Sequence, residues 1–105
     1  MGMERIVRFP SGTVPEWPTI AEKLKERGQS PVIRMIDNLP AFPDEVPAED
    51  WRELRLGLAG GMVTLSRMPG VLRCTVWGNA GPDLQASWDD LVKAVLASGD
   101  AVEEG

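Results

Sequence analysis

The side chains able to do chemistry are few, and what is missing narrows the function more than what is present. The 105-residue chain has no histidine, no tyrosine and one cysteine, Cys74. The commonest general base, the usual zinc ligand and the histidine-assisted serine and cysteine nucleophiles are therefore absent. One cysteine permits neither an internal disulfide nor a Cys/His zinc site within one chain. No phosphate-cradling loop is present: Gly57, Gly60 and Gly61 lie among alternating strand-like residues, and no Gly-Lys-Ser/Thr follows. Carboxylates remain. Their dense run is 37–50, with Asp37, Asp44, Glu45, Glu49 and Asp50, no basic residue, and Pro40, Pro43 and Pro47 between them. Its spacing matches no calcium-binding loop and the prolines keep it extended, so it reads as an acidic connection pinned to the body by Phe42 and Val46. The chain implies no cofactor, no metal and no catalytic residue. A ligand- or cation-binding or enzymatic pocket using Asp37, Asp44 or Glu45 is the alternative to the interaction surface described next.

That surface is the group Trp77, Met62, Arg55, Arg73 and Thr64, which can bind a protein partner or a second copy of the chain, because Trp, Met and Arg are the residues enriched at interface cores. Bringing these five together depends on the strands that carry them. Residues 51–77 divide at Gly60-Gly61 and Pro69-Gly70 into three runs of alternating chemistry, the pattern of a β-meander with tight turns. With those pairs at the turn centres, Leu58 stands opposite Val63, Leu56 opposite Leu65, Leu65 opposite Cys74 and Val63 opposite Val76. One face then collects Leu54, Leu56, Leu58, Val63, Leu65, Leu72, Cys74 and Val76. The other collects Arg55, Gly57, Met62, Thr64, Ser66, Arg73, Thr75 and Trp77, with a locally positive charge. Side chains alternate with a period of two, so a one-residue slip would scatter the apolar set. Arg67 is the one charge on the apolar face, at a strand end where its stem can lie on the core and its head reach water.

The apolar face requires a cover. Leu84, Trp88, Leu91 and Val95 recur at helical spacing, widened by Val92 and Leu96, and predict a helix from about 83 to 98 with Pro82 at its start. Asp83, Asp89 and Asp90 favour the positive N-terminal half of that helix. Thr19-Ile20-Ala21-Glu22 has capping-box spacing and predicts a short helix ending at Gly28, with Trp17, Ile20, Ala21 and Leu24 inward. Pro31–Ile36 reads as a further strand and Arg5–Phe9 as a weaker one. Trp17, Trp51 and Trp88 are expected in the core or at its rim, and Asn79 is expected to tie its loop to itself. The expected fold class is α+β: a two-layer sandwich of an antiparallel-dominated, four- to five-stranded sheet with two helices on one face, in the order (β)αββββα. Residues 1–105 form one small globular domain, with 99–105 a frayed tail.

Composition sets the outer limits. Sixteen acidic against eleven basic side chains give a net charge of −5, which repels polyphosphate and argues against duplex nucleic acid as a partner. The helix–three-strand–helix order resembles that of double-stranded-RNA-binding domains, but Lys93 is the one basic residue of the second helix, so the resemblance stops at element order. No apolar stretch approaches the roughly 20 residues that cross a bilayer, and residues 1–20 contain no secretory apolar core. The reading is a cytoplasmic, non-enzymatic interaction module with no membrane partner.

Overall fold

The computed structural model describes residues 2–78 and 80–104. It is an α+β fold in which a seven-stranded antiparallel sheet carries two helices. The elements are β1 (Met3–Arg8), α1 (Trp17–Glu26), β2 (Val32–Ile36), β3 (Leu39–Pro40), β4 (Glu53–Leu58), β5 (Gly61–Met68), β6 (Val71–Val76), α2 (Pro82–Ala97) and β7 (Val102–Glu104). The sheet order is β3-β2-β4-β5-β6-β1-β7. The meander forms its centre, as alternation in 51–77 predicts, and β2 and β1 add to its two sides.

The second hairpin has the register expected from Pro69-Gly70. Leu65 faces Cys74, and Gly70 takes the left-handed conformation (φ 68°) that glycine adopts without a Cβ clash. The first hairpin is shifted by two residues: Leu56 faces Val63 and Leu54 faces Leu65, so the turn centres on Ala59-Gly60. A two-residue shift preserves which face each side chain occupies, which is why the apolar set stays together despite the wrong partners. The cause is tertiary. Gly60 packs against the first turn of α2, its N–H donating to Ser87 Oγ at 2.8 Å, and a Cβ there would collide with the carbonyl of Asp83. Gly61 is then needed at the strand start for its positive φ of 138°.

Two strands exceed the expected four to five. Asp37 and Asn38 both adopt positive φ (50° and 68°), making the tight turn that pairs Ile36 with Leu39. Asp and Asn tolerate this conformation better than other side-chain-bearing residues. The tail expected to fray instead forms β7 beside β1, with Arg8 facing Val102 and Ile6 facing Glu104. Arg5 binds Glu103 through both Nε (2.7 Å) and a terminal nitrogen (2.8 Å), and Arg8 pairs with Glu104. These charge-assisted contacts hold a segment with little apolar surface of its own.

Leu54, Leu56, Leu58, Val63, Leu65, Leu72, Cys74 and Val76 are all buried, joined by Val7 and Ile33 from the flanking strands. Trp17, Ile20 and Leu24 of α1 and Leu91, Val92, Ala94 and Val95 of α2 complete this cluster. Burial pushes the Cys74 thiol up to about 12, leaving it a small core hydrophobe. Trp51 is buried under Arg67, whose guanidinium lies 4.9 Å from the ring centroid and donates to the Glu49 carbonyl. Helix α1 starts earlier than expected. Glu16 is its N-cap, without a side-chain hydrogen bond, and Thr19 lies inside it, so the capping box is not used. Pro18 in the first turn favours that earlier start, since its missing N–H has no partner there in any case. In α2, Ser87 is buried through its bond to Gly60, while Leu84 and Trp88 are only half-buried.

Gly60→Ala should lower the free energy of unfolding by about 1–3 kcal/mol, because the new Cβ meets backbone that cannot easily give way. Gly81→Ala, where a Cβ meets open space, should cost less than about 1 kcal/mol. Urea denaturation of the two variants checks the difference.

Candidate functional site

On the other side of the sheet, ladder registers place four side chains in one row: Arg55 of β4, Thr64 of β5, Thr75 of β6 and Glu4 of β1. A second row runs Glu53, Ser66, Arg73 and Ile6. Trp77, one residue past β6, falls beside Met62 by continuation of the same register, and the two line one shallow groove with Arg55, Thr64 and Leu84. All five sequence-predicted binding residues, Trp77, Met62, Arg55, Arg73 and Thr64, are therefore on one face. Trp77 is 67% exposed and Met62 50%. Gly2 lies under the indole, since a Cβ there would approach Trp77 Cε3 to 2.7 Å.

Two expectations about this face change. Thr64 and Thr75 are only 8% and 7% exposed, although they point away from the helices. Long neighbours lie around them, so the threonines form the floor of a depression lined by Glu4, Glu53, Arg55, Ser66, Arg73 and Trp77. The positive local charge is also mostly neutralised. Arg55 Nε lies 3.4 Å from Glu53 Oε1, and a terminal nitrogen of Arg73 lies 3.3 Å from Glu4 Oε2. The arginines also donate to methionine sulfur, Arg55 to Met35 and Arg73 to Met68. The expected strand Arg5–Phe9 begins two residues after β1 does and so leaves out Glu4, and the expected outer face starts at Arg55 and so leaves out Glu53. Strand alternation carried two residues further would have found both. Asn79 lies outside the described residues.

The acidic connection does not gather its carboxylates. Asp37 Oδ1 accepts the backbone N–H groups of Arg52 (2.7 Å) and Glu53 (2.9 Å), so it ties the β2–β3 turn to β4. Asp44 and Glu45 line a different groove, with Trp17, Pro18, Lys25 and Pro31. Glu45 Oε1 accepts the N–H of Phe42. Phe42 and Val46, expected to pin the connection, are 76% and 69% exposed; Ala41 packs on the core instead, and Pro47 is buried. No group of three or more acidic or cysteine side chains among the described residues is arranged to hold a metal ion. Asp83 is the acidic residue in the first turn of α2, where the dipole acts; Asp89 and Asp90 lie about two turns in and form ion pairs instead. Asp89 binds Arg5 (3.0 Å) and Lys93 (2.8 Å), and Asp90 binds Arg27 and Gln29. Among the described residues, no helix is long and apolar enough to cross a membrane. The chain matches no protein-family model, and no curated protein is significantly similar to it.

Three carboxyls are held below their ordinary range: Asp37 by the backbone N–H groups of Glu53 and Arg52, Asp89 by Lys93 and Arg5, and Glu103 by Arg5. A depressed native pKa stabilises the fold above the unfolded value and is lost as pH falls through the native one. Stability should accordingly be full above about pH 5 and decline below about pH 4, where unfolded Asp and Glu protonate. Asp37→Asn should make that decline shallower, measured by urea denaturation across the acid range.

Proposed function

We propose that this chain is a small non-enzymatic interaction module that engages a protein partner through the outer sheet face around Trp77 and Met62. The observation that carries the reading is an exposed indole beside an exposed methionine on a sheet face rimmed by ion-paired arginines. A large ring left in water gains about 25 cal/mol for each Å² of apolar surface later buried, and interface cores concentrate Trp, Met and Arg within a polar rim. The exposed ion pairs contribute little to the fold, about 0–1 kcal/mol each, so they are free to exchange partners. The reading takes the molecule as two layers, with the helices on one side and the other side left for binding. It places the protein in the cytoplasm, and the absence of histidine and tyrosine supports a binding role over a catalytic one.

A photo-crosslinking side chain at Ser66, in the lining of the depression, should give a discrete adduct in the native cells, and the same group at Glu22 on the solvent side of α1 should not. Trp77→Ala should abolish the Ser66 adduct while changing stability by less than about 0.5 kcal/mol, since the ring is outside the core. Identical adducts from both positions, indifferent to Trp77→Ala, would remove the reading.

A further inference from the structure

The partner can be specified further by the charge pattern of the face, and this step rests on the reading above. The outer face carries four arginines, Arg8, Arg34, Arg55 and Arg73, and three glutamates, Glu4, Glu53 and Glu104, assigned by ladder register and, for Arg34, by its Nε lying over Gly57. Asp37 and Arg52, which share a groove with Glu53 and Arg55, add one charge of each sign, so a chain of net charge −5 presents one face that is almost neutral. A strongly acidic or basic partner has no complementary field to dock on there. A partner with the same mixed pattern does.

We propose that the face binds a second copy of this chain, sheet against sheet, about a two-fold axis parallel to the strands and midway between β5 and β6. The strand order makes the fit specific. Setting aside the two-residue β3, the six strands β2-β4-β5-β6-β1-β7 are centred on that line, so the rotation places β4 over β1 and β5 over β6. Arg55 then stands over Glu4 of the second copy, and Glu4 over Arg55 of the second copy, because both belong to the row Arg55–Thr64–Thr75–Glu4. In the same row Thr64 falls opposite Thr75. In the neighbouring row Met62 meets Trp77, giving two sulfur–indole contacts that bury the exposed apolar groups of both copies. Ser66 falls opposite Arg73, whose Nε has no acceptor among the described residues. Glu53, already bonded to Arg55, falls opposite Ile6. Each favourable contact occurs twice, as an isologous interface requires, and sheets that pack face to face keep their strands within about 30° of one another.

The charge pair gives a test that other arrangements fail. Sedimentation equilibrium of the wild-type chain should show a monomer–dimer equilibrium. Arg55→Glu sets Glu against Glu4 twice, and Glu4→Arg sets Arg against Arg55 twice, so each variant alone should dimerise at least about tenfold more weakly than wild type. Mixed in equal amounts they should form a heterodimer, because the introduced Glu faces the introduced Arg at one end and the native Glu4 faces the native Arg55 at the other. Circular dichroism of each variant checks that the fold is intact. A dimer with no recovery in the mixture would overturn the proposed axis. A wild-type chain that stays monomeric at millimolar concentration would overturn self-association while leaving the face open to a different protein. A dimer indifferent to Arg55→Glu, Glu4→Arg and Trp77→Ala would lie on another surface, overturning this proposal and removing self-association as support for the functional reading.

Discussion

Strand alternation is the constraint from which the other features follow. Each residue in β4, β5 and β6 faces either the helices or the opposite side, and the helix-facing set is apolar and buried apart from Gly61 and Arg67 near the ends of β5. Once Leu54, Leu56, Val63, Leu65, Leu72, Cys74 and Val76 are committed inward, Arg55, Met62, Thr64, Arg73 and Trp77 have no choice of side. The exposed indole is a consequence of core formation rather than an independent feature of the surface. Moving it inward would require a one-residue slip that brings arginine and threonine under α2, leaving polar groups buried without partners.

The same constraint explains which parts of the fold were legible. Parity within 51–77 could be read from the residues because it needs only a period, and a period survives an error in turn position. The turn itself could not, since Gly60 is reserved for contact with the Asp83 carbonyl, 23 positions along the chain from the local Gly-Gly signal. Asp37-Asn38 is a turn signal that was obscured by the three prolines after it, which made 37–50 read as one extended connection. Strand β7 had almost no local signal: Val102-Glu103-Glu104 is a polar tail until Arg5 and Arg8 are placed beside it. For the site, the five predicted residues were recoverable from alternation, whereas the pairing of Arg55 with Glu53 and of Arg73 with Glu4 needed the cross-strand neighbours.

Charge is distributed in keeping with an interaction role. Acidic groups are spent where they fix the fold, with Asp37 on two backbone N–H groups, Asp90 joining Arg27 and Gln29, and Asp89 and Glu103 both on Arg5. Arg5 also lies 5.6 Å from the Trp88 ring centroid, and Trp88 Nε1 donates to the Cys74 carbonyl. This cluster joins β1, β6, α2 and β7 on the helix-facing side. It leaves the opposite side with balanced charge, two threonines beneath long side chains, and one uncovered ring.

The most direct test of the central claim is solvent exchange of the four indole N–H protons, followed by nuclear magnetic resonance over a dilution series. The account predicts fast exchange for Trp77 in dilute solution, slowing as concentration rises, while Trp51 in the core stays protected throughout. A Trp77 proton protected at the lowest concentration would mean the ring is covered within its own chain and would contradict the account at its root.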